Sequence, residues 1–356
     1  MRLTHEVRKS VRFIPMLLLA FVTTFAYAKN YNTIVVFGDS LSDTGNVAHL
    51  TDETLPFRFP SPVLNYTEGR FTDGVDTTPY ARNYFGVWVE QFAATLPSQP
   101  EVRNSLDGGT DYAYGFATSG VGTGTYDFPN GLSVEVNNID RQITDYLATH
   151  PKIDNSTLFI VWGGANDLVH AESPGQIPSV AYIAAGQMAS NIERLIKAGA
   201  TQFIVGNLPP LGMLPRNAKY PPELRDTLSA ITKSFFNDAL AVGIAGLRAK
   251  YPHRDMTIFE LDVFTLFEQI ADSPSSFSLT NITAPSQYTP TNPTYLENPD
   301  KYLFWDDLHP TTHGHGILAD AASHLISQHQ CNAKGENCVY PPPCVLQGNH
   351  CASPVN

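Results

Sequence analysis

Four short runs of apolar and β-branched residues punctuate the chain, at 33–37 (Thr-Ile-Val-Val-Phe), 157–162, 202–205 and 256–259. Their hydrophobicity is continuous rather than alternating, which marks strands buried on both faces. Longer stretches with apolar residues every three or four positions lie between them. One begins at 87–92, and others cover 139–147, 180–198 and 224–250, with a last from 312 to 328. Strands alternating with helices predict a parallel sheet covered on both sides. Two segments break the rhythm: a polar, Pro-rich and aromatic stretch at 52–84, and a Ser/Thr/Pro/Asn-rich loop at 272–301. Loops of that length are often functional. Residues 108–124 are rich in glycine and small side chains, but no strand precedes Gly120-Val121-Gly122-Thr123-Gly124 and no Gly-Lys-Ser/Thr follows it, so a phosphate loop is rejected. No internal repeat or low-complexity linker is present.

The ends carry separate signals. Arg2, Arg8, Lys9 and Arg12 precede an apolar stretch at 13–25 and Ala26-Tyr27-Ala28, the pattern of a secretory leader cleaved after Ala28. The apolar stretch is too short to span a bilayer, and no later one is long enough; an uncleaved anchor is the competing reading. All four cysteines fall at the other end, Cys331, Cys338, Cys344 and Cys351, beside a stiff Tyr340-Pro341-Pro342-Pro343. In an exported protein this set implies disulfides, with Cys331–Cys338 and Cys344–Cys351 the simplest of three connectivities. The spacing does not match a structural zinc site. The expected organisation is a leader (1–28), one α/β domain (29–330) and a Cys/Pro-rich tail (331–356). Formal net charge is −12, and about −15 without the leader. So acidic a chain argues against nucleic acid or anionic lipid as an electrostatic partner. A lipid acyl chain is still admissible, because apolar area recognises it.

Candidate chemistry sits where the predicted strands end. Gly38-Asp39-Ser40-Leu41-Ser42-Asp43-Thr44-Gly45-Asn46 follows the first strand, which places Ser40 at the sheet edge where α/β folds bind ligands. A serine needs a base to become a nucleophile. Asp306-Asp307-Leu308-His309-Pro310 can supply one, with Asp306 folded back to orient the ring of His309. Helix capping by Asp306 and His309 is the bland alternative, and zinc on His309, His313 and His315 is disfavoured by Pro310 and by the spacing. After the second strand, Gly163-Gly164-Ala165-Asn166-Asp167 would aim the Asn166 amide into the same crevice if the two strands are neighbours; an ordinary turn fits it equally. In Asp111-Tyr112-Ala113-Tyr114-Gly115-Phe116-Ala117, Gly115 would let a backbone N–H approach a ligand. Asn65-Tyr66-Thr67, Asn155-Ser156-Thr157 and Asn281-Ile282-Thr283 are glycosylation sequons by pattern alone.

Taken together, Phe37-Gly38-Asp39-Ser40-Leu41-Ser42-Asp43-Thr44-Gly45-Asn46, Gly164-Ala165-Asn166-Asp167 and Asp306-Asp307-Leu308-His309 occur in the order of, and closely resemble, the motifs of the GDSL lipases and esterases, the SGNH hydrolases. Gly69-Arg70-Phe71-Thr72-Asp73-Gly74 is similar to a further family motif. The resemblance runs over nearly all of the mature chain and implies the flavodoxin-like SGNH fold, a three-layer α/β/α sandwich. It also implies Ser40 as nucleophile, Asp306 and His309 as its triad partners, and Ser40, Gly115 and Asn166 as oxyanion donors. One block departs from the pattern: Asp111 stands where the family has asparagine, and Phe116 replaces its second glycine.

The expected activity is acyl transfer through a serine ester, without metal or cofactor. No Gly-x-Ser-x-Gly elbow is present, which separates the chain from the α/β-hydrolases. Export and the aromatic 52–84 segment favour a lipid acyl ester, with water or an alcohol such as a sterol as acceptor. A carbohydrate acetylesterase and a catalytically silent binding module on the same fold are the alternatives.

Overall fold

The computed structural model describes residues 30–73, 85–171, 173–287, 298–333, 345–347 and 350–352. The leader and the cysteine sulfurs, and with them the proposed disulfides, lie outside the described residues.

The four continuous apolar runs form one parallel sheet. Its strands are β1 (Thr33–Gly38), β4 (Thr157–Trp162), β5 (Gln202–Gly206) and β6 (Thr257–Leu261), in the spatial order β1-β4-β5-β6. Every residue of β4 and β5 is buried, as two-sided coverage requires. β1 pairs with β4 in register, Val36 opposite Ile160 and Gly38 opposite Trp162, so the chain leaves both strands at the same edge.

A fifth position is filled by a segment the hydrophobic pattern did not mark. Residues 110–114 run beside the free side of β1: Val36 N–H donates to Thr110 O at 3.1 Å, and Tyr112 N–H to Val36 O at 2.8 Å. Between this segment and β1, the pair Val36–Asp111 forms an isolated bridge. With that segment counted, the order is that of a flavodoxin-like sheet.

Helices cover both faces and include α2 (Trp88–Thr95), α3 (Ile139–Thr149), α5 (Ile177–Ala198), α7 (Asp238–Lys250) and α9 (Thr312–Ala333). α3 carries a buried stripe of Ile139, Gln142, Ile143 and Tyr146 that meets the sheet. The single helix expected at 224–250 is instead α6 (Pro222–Ile231), a π-helical turn (Thr232–Asn237) and α7. The wider turn places Phe236 in the core and lets Asn237 bond both the N–H and the C=O of Leu208 at 2.9 Å. A short hairpin, β2 (Thr123–Asp127) with β3 (Ser133–Asn137), was also not expected. Its signal was Pro129-Asn130-Gly131 between two alternating stretches.

The core is continuous from Tyr31 to Ile326. A smaller apolar cluster stands beside it, built from Val47, Phe71, Tyr114, Ala117, Phe128, Val134 and Val136, with Phe57, Phe59, Phe116 and Tyr126 packed on its margin. It joins residues 55–71 to the hairpin.

Candidate active site

β1 delivers Ser40 two residues past its last paired position, and the side-chain amide of Gln142 fastens that strand end. Gln142 accepts from Gly38 N–H at 2.9 Å and donates to Gly38 O at 2.8 Å, completing the ladder as a neighbouring backbone would. The helix α1 (Asn46–Thr54) that follows the turn is held by Asp43. Its carboxylate accepts from Gly45, Asn46 and Val47 N–H at 2.8, 2.6 and 3.2 Å.

The loop before α9 brings the imidazole. His309 Nδ1 donates to Asp306 Oδ2 at 2.6 Å, which leaves Nε2 of the neutral ring as an acceptor for the Ser40 hydroxyl at 2.8 Å. Asp306 Oδ1 accepts from Leu308 and His309 N–H at 2.7 and 2.6 Å, so one short turn fixes acid and base together. Ser40, Asp306 and His309 are 6%, 8% and 8% exposed, a site shielded from water but not closed. Burial alone would raise the Asp306 carboxyl. The His309 charge, the bonds from His309 and the Tyr66 hydroxyl outweigh it and bring it down to about 2.

Tyr66 is a residue that reading the sequence missed, because it sat inside a sequon pattern. Its hydroxyl donates to Asp306 Oδ2 at 2.5 Å from 240 positions away.

The Gly-Arg-Phe-Thr-Asp motif at 69–73 braces the same loop. The Phe71 ring lies 5.1 Å from that of His309, Thr72 Oγ1 donates to Pro310 O at 2.9 Å, and Asp73 Oδ1 accepts from Thr312 N–H at 2.7 Å at the start of α9.

Asn166 lies in α4 (Ala165–Val169), just past the end of β4 and so at the sheet edge where Ser40 also leaves β1. Gly164 has φ 106°, and a Cβ there would lie 2.4 Å from the Phe236 ring, so this turn needs glycine on both counts. Asn166 Nδ2 donates to Ala117 O at 2.9 Å, which uses one amide hydrogen and leaves the other.

Gly115 differs from the expectation in both its N–H and its missing side chain. The N–H donates to Asp43 Oδ2 at 2.8 Å rather than into open space. The place of a Cβ is filled by Phe71, whose Cζ is 2.2 Å from it. The residue is a glycine because an aromatic ring lies on it. Phe116, standing where the family has glycine, takes φ 70° and stacks on Tyr126 with ring centres 3.6 Å apart. No partner for its N–H is found among the described residues.

Asp111 is fully buried and accepts from Thr44 N–H, Thr44 Oγ1 and Ala113 N–H at 2.8, 2.7 and 2.9 Å. Burial, then the nearby Asp43, raises it well above the usual carboxyl range. Burial likewise pushes Asp43 up to about 6 in spite of its N–H donors.

The three histidines of the zinc alternative point apart. His313 Nδ1 donates to Asp300 O at 2.5 Å, and His315 Nδ1 accepts from Trp88 N–H at 3.2 Å, while His309 faces Ser40. Among the described residues no three His, Cys, Asp or Glu side chains are grouped to hold a metal.

The family model described as GDSL-like Lipase/Acylhydrolase matches residues 34–322. The chain belongs to that family. This GDSL protein is a serine ester hydrolase by that membership and by the company of relatives named esterase or lipase. Lipase 1 of Photorhabdus luminescens is 30% identical over 213 residues, covering 59% of this chain and 27% of the relative; the chain thus spans about a quarter of that protein's length. The phosphatidylcholine-sterol acyltransferase of Aeromonas hydrophila is 26% identical over 347 residues, covering 84% of this chain and 92% of the relative. A solved GDSL-family lipolytic protein from Veillonella parvula is 14% identical with a TM-score of 0.41, covering 83% of this chain and 98% of that one. Among the described residues of the GDSL protein, no helix is long and apolar enough to cross a membrane.

Proposed function

We propose that the chain is an exported lipolytic acyl hydrolase in which Ser40, His309 and Asp306 act as a triad on a lipid acyl ester. The observation that carries this reading is the unbroken run of hydrogen bonds from Ser40 through His309 to Asp306. His309 takes the proton as Ser40 attacks the ester carbonyl, and Asp306 steadies the imidazolium so formed. The same ring then protonates the leaving alcohol. Water, or a second alcohol such as a sterol, releases the acyl group by the reverse sequence. The oxyanion is met by the Ser40 N–H and the Asn166 amide hydrogen that Ala117 does not use. The third donor, which family resemblance places at Gly115, is assigned to the Phe116 N–H next to it, because Asp43 holds the Gly115 N–H.

The lipid choice is supported by the aromatic margin of Phe57, Phe59, Phe116 and Tyr126, which adjoins the ring of Phe71 and through it His309. It agrees with the acyltransferase relative from Aeromonas hydrophila. Export is supported by the leader pattern ending at Ala28, and N-terminal sequencing of the exported protein should begin at Lys29.

A p-nitrophenyl ester series tests the substrate class. Rising kcat/KM from acetate to long chains is expected; turnover of acetate alone would turn the reading toward a carbohydrate acetylesterase. Mixed phosphatidylcholine and cholesterol should yield free fatty acid, with sterol ester as well if a sterol competes with water.

A further inference from the structure

We propose that Tyr66 is a positioning residue for acyl transfer, acting on His309 through Asp306 and tying turnover to the seating of the 62–73 segment. The inference rests on the triad reading above and deepens it.

The four donors around Asp306 divide evenly. Oδ1 is saturated by two N–H groups of its own loop, whereas Oδ2 serves His309 Nδ1 at 2.6 Å and the Tyr66 hydroxyl at 2.5 Å. The oxygen that orients the base is therefore shared with a residue brought in from a separate part of the chain. Burial and the charge of Asp306 both raise the Tyr66 hydroxyl above its ordinary range, so it remains a donor across the working pH of an esterase.

The side chain is itself located from two sides. Its ring meets Trp305 edge-on at 6.3 Å. Two residues before it, Leu64 O accepts from Gln287 Nε2 at 2.8 Å, and Gln287 N–H donates to Trp305 O at 2.8 Å. Residues 64–66 of the first long loop and Gln287 of the second thus meet at the residue preceding Asp306. Anything that lifts the 62–73 segment, including a substrate pressing on Phe71 or Phe59, would loosen the acid that orients the base.

The physical consequence concerns both geometry and charge. A phenol donating to Oδ2 fixes the carboxylate rotamer. It also withdraws part of the charge that would otherwise stabilise the imidazolium. The groups facing His309 are Asp306, Ser40 and Asp39 of the nucleophile turn, and His315 of α9; Asp306, Asp307 and Gln287 face Tyr66. Loss of the phenol oxygen leaves these groups in place and removes its bonds to Asp306 and to Gln287, of which only the bond to Asp306 Oδ2 reaches the triad, so a displaced pH profile would report that bond.

The test is Tyr66→Phe on the full chain, with p-nitrophenyl butyrate from pH 5 to 9 and thermal melts alongside. We expect kcat to fall about tenfold with KM within about twofold. The acid limb of kcat/KM should move upward, because Asp306 Oδ2, relieved of the phenol, gives more of its charge to the imidazolium. The melting temperature should stay close to wild type. Tyr66→Leu separates ring from hydroxyl: it should show the same displaced limb with a lower melting temperature. An unmoved acid limb in both variants, at any rate, would overturn the proposal and leave Tyr66 a packing residue. Turnover by Ser40→Ala would strike instead at the serine reading beneath it, which keeps the two failures apart.

Discussion

Replacing Gly115 by alanine asks whether this glycine serves the ring above it or an approaching ligand. The new methyl would lie 2.2 Å from Phe71 Cζ and 2.5 Å from Cε2. Carbon atoms rest at about 3.5–4.0 Å, so the ring must retreat by more than about 1 Å. Its ways out are occupied by Phe59 at 5.8 Å, Phe116 at 5.8 Å and His309 at 5.1 Å. Overpacking of this kind costs about 1–3 kcal/mol, or a fall of roughly 2–5 °C in Tm for a domain of this size. The ring bears on His309, and misplacing a reacting group by about 1 Å costs on the order of 10²-fold in kcat. Purified Gly115→Ala should therefore melt lower and turn over p-nitrophenyl butyrate about a hundredfold more slowly. Adding Phe71→Leu should return much of both losses, since the two side chains compete for one space and will not act additively. A Gly115→Ala protein with wild-type Tm and rate would refute the packing argument. Loss of activity that Phe71→Leu fails to restore would return Gly115 to the role of ligand contact.

Two further outcomes follow from the same geometry. Asn166→Ala should lower kcat by about 10²–10³ with little change in KM, as expected for a donor engaged mainly in the transition state; stopped assays on a soluble ester read it. Asp306 has a folded value of about 2 against 3.8 unfolded, a depressed carboxyl. Its contribution, about 2–3 kcal/mol by linkage, is present above pH 3.8 and disappears as pH falls toward 2. Urea melts of wild type and Asp306→Asn should therefore differ at pH 6 and converge near pH 2; a gap that persists in acid would count against the charge of Asp306 as its source.

What could be read in the sequence was governed by how local its cause is. The buried strands announced themselves because two-sided burial demands unbroken apolar runs, and three of the four begin at the residue expected. The last, β6, starts at Thr257, one residue later than the run at 256–259. The edge segment at 110–114 escaped because it owes its place to backbone bonds with β1 rather than to its own hydrophobicity. The π-helical turn at Thr232–Asn237 is invisible to a 3.6-residue period, since nothing in the local pattern distinguishes one extra residue per turn.

The site divides in the same way. Ser40, Asn166, Asp306 and His309 were named from short motifs, and the fold brings them to one edge. Tyr66 reaches Asp306 across 240 positions and no spacing rule could link them. Gly115 was named for an N–H that could meet a ligand, while the structure gives that N–H to Asp43 and the Cβ space to Phe71: glycine signals a missing Cβ without saying whether a ligand, a carboxylate or an aromatic ring takes the space.

The measurement closest to the central claim is covalent labelling with a fluorophosphonate, followed by peptide mass mapping of wild type and His309→Ala. Wild type should give one modified peptide, carrying the label on Ser40, and labelling should be at least about a hundredfold slower when the imidazole is gone. A label on any other serine, or equal labelling of Ser40 in both proteins, would contradict it.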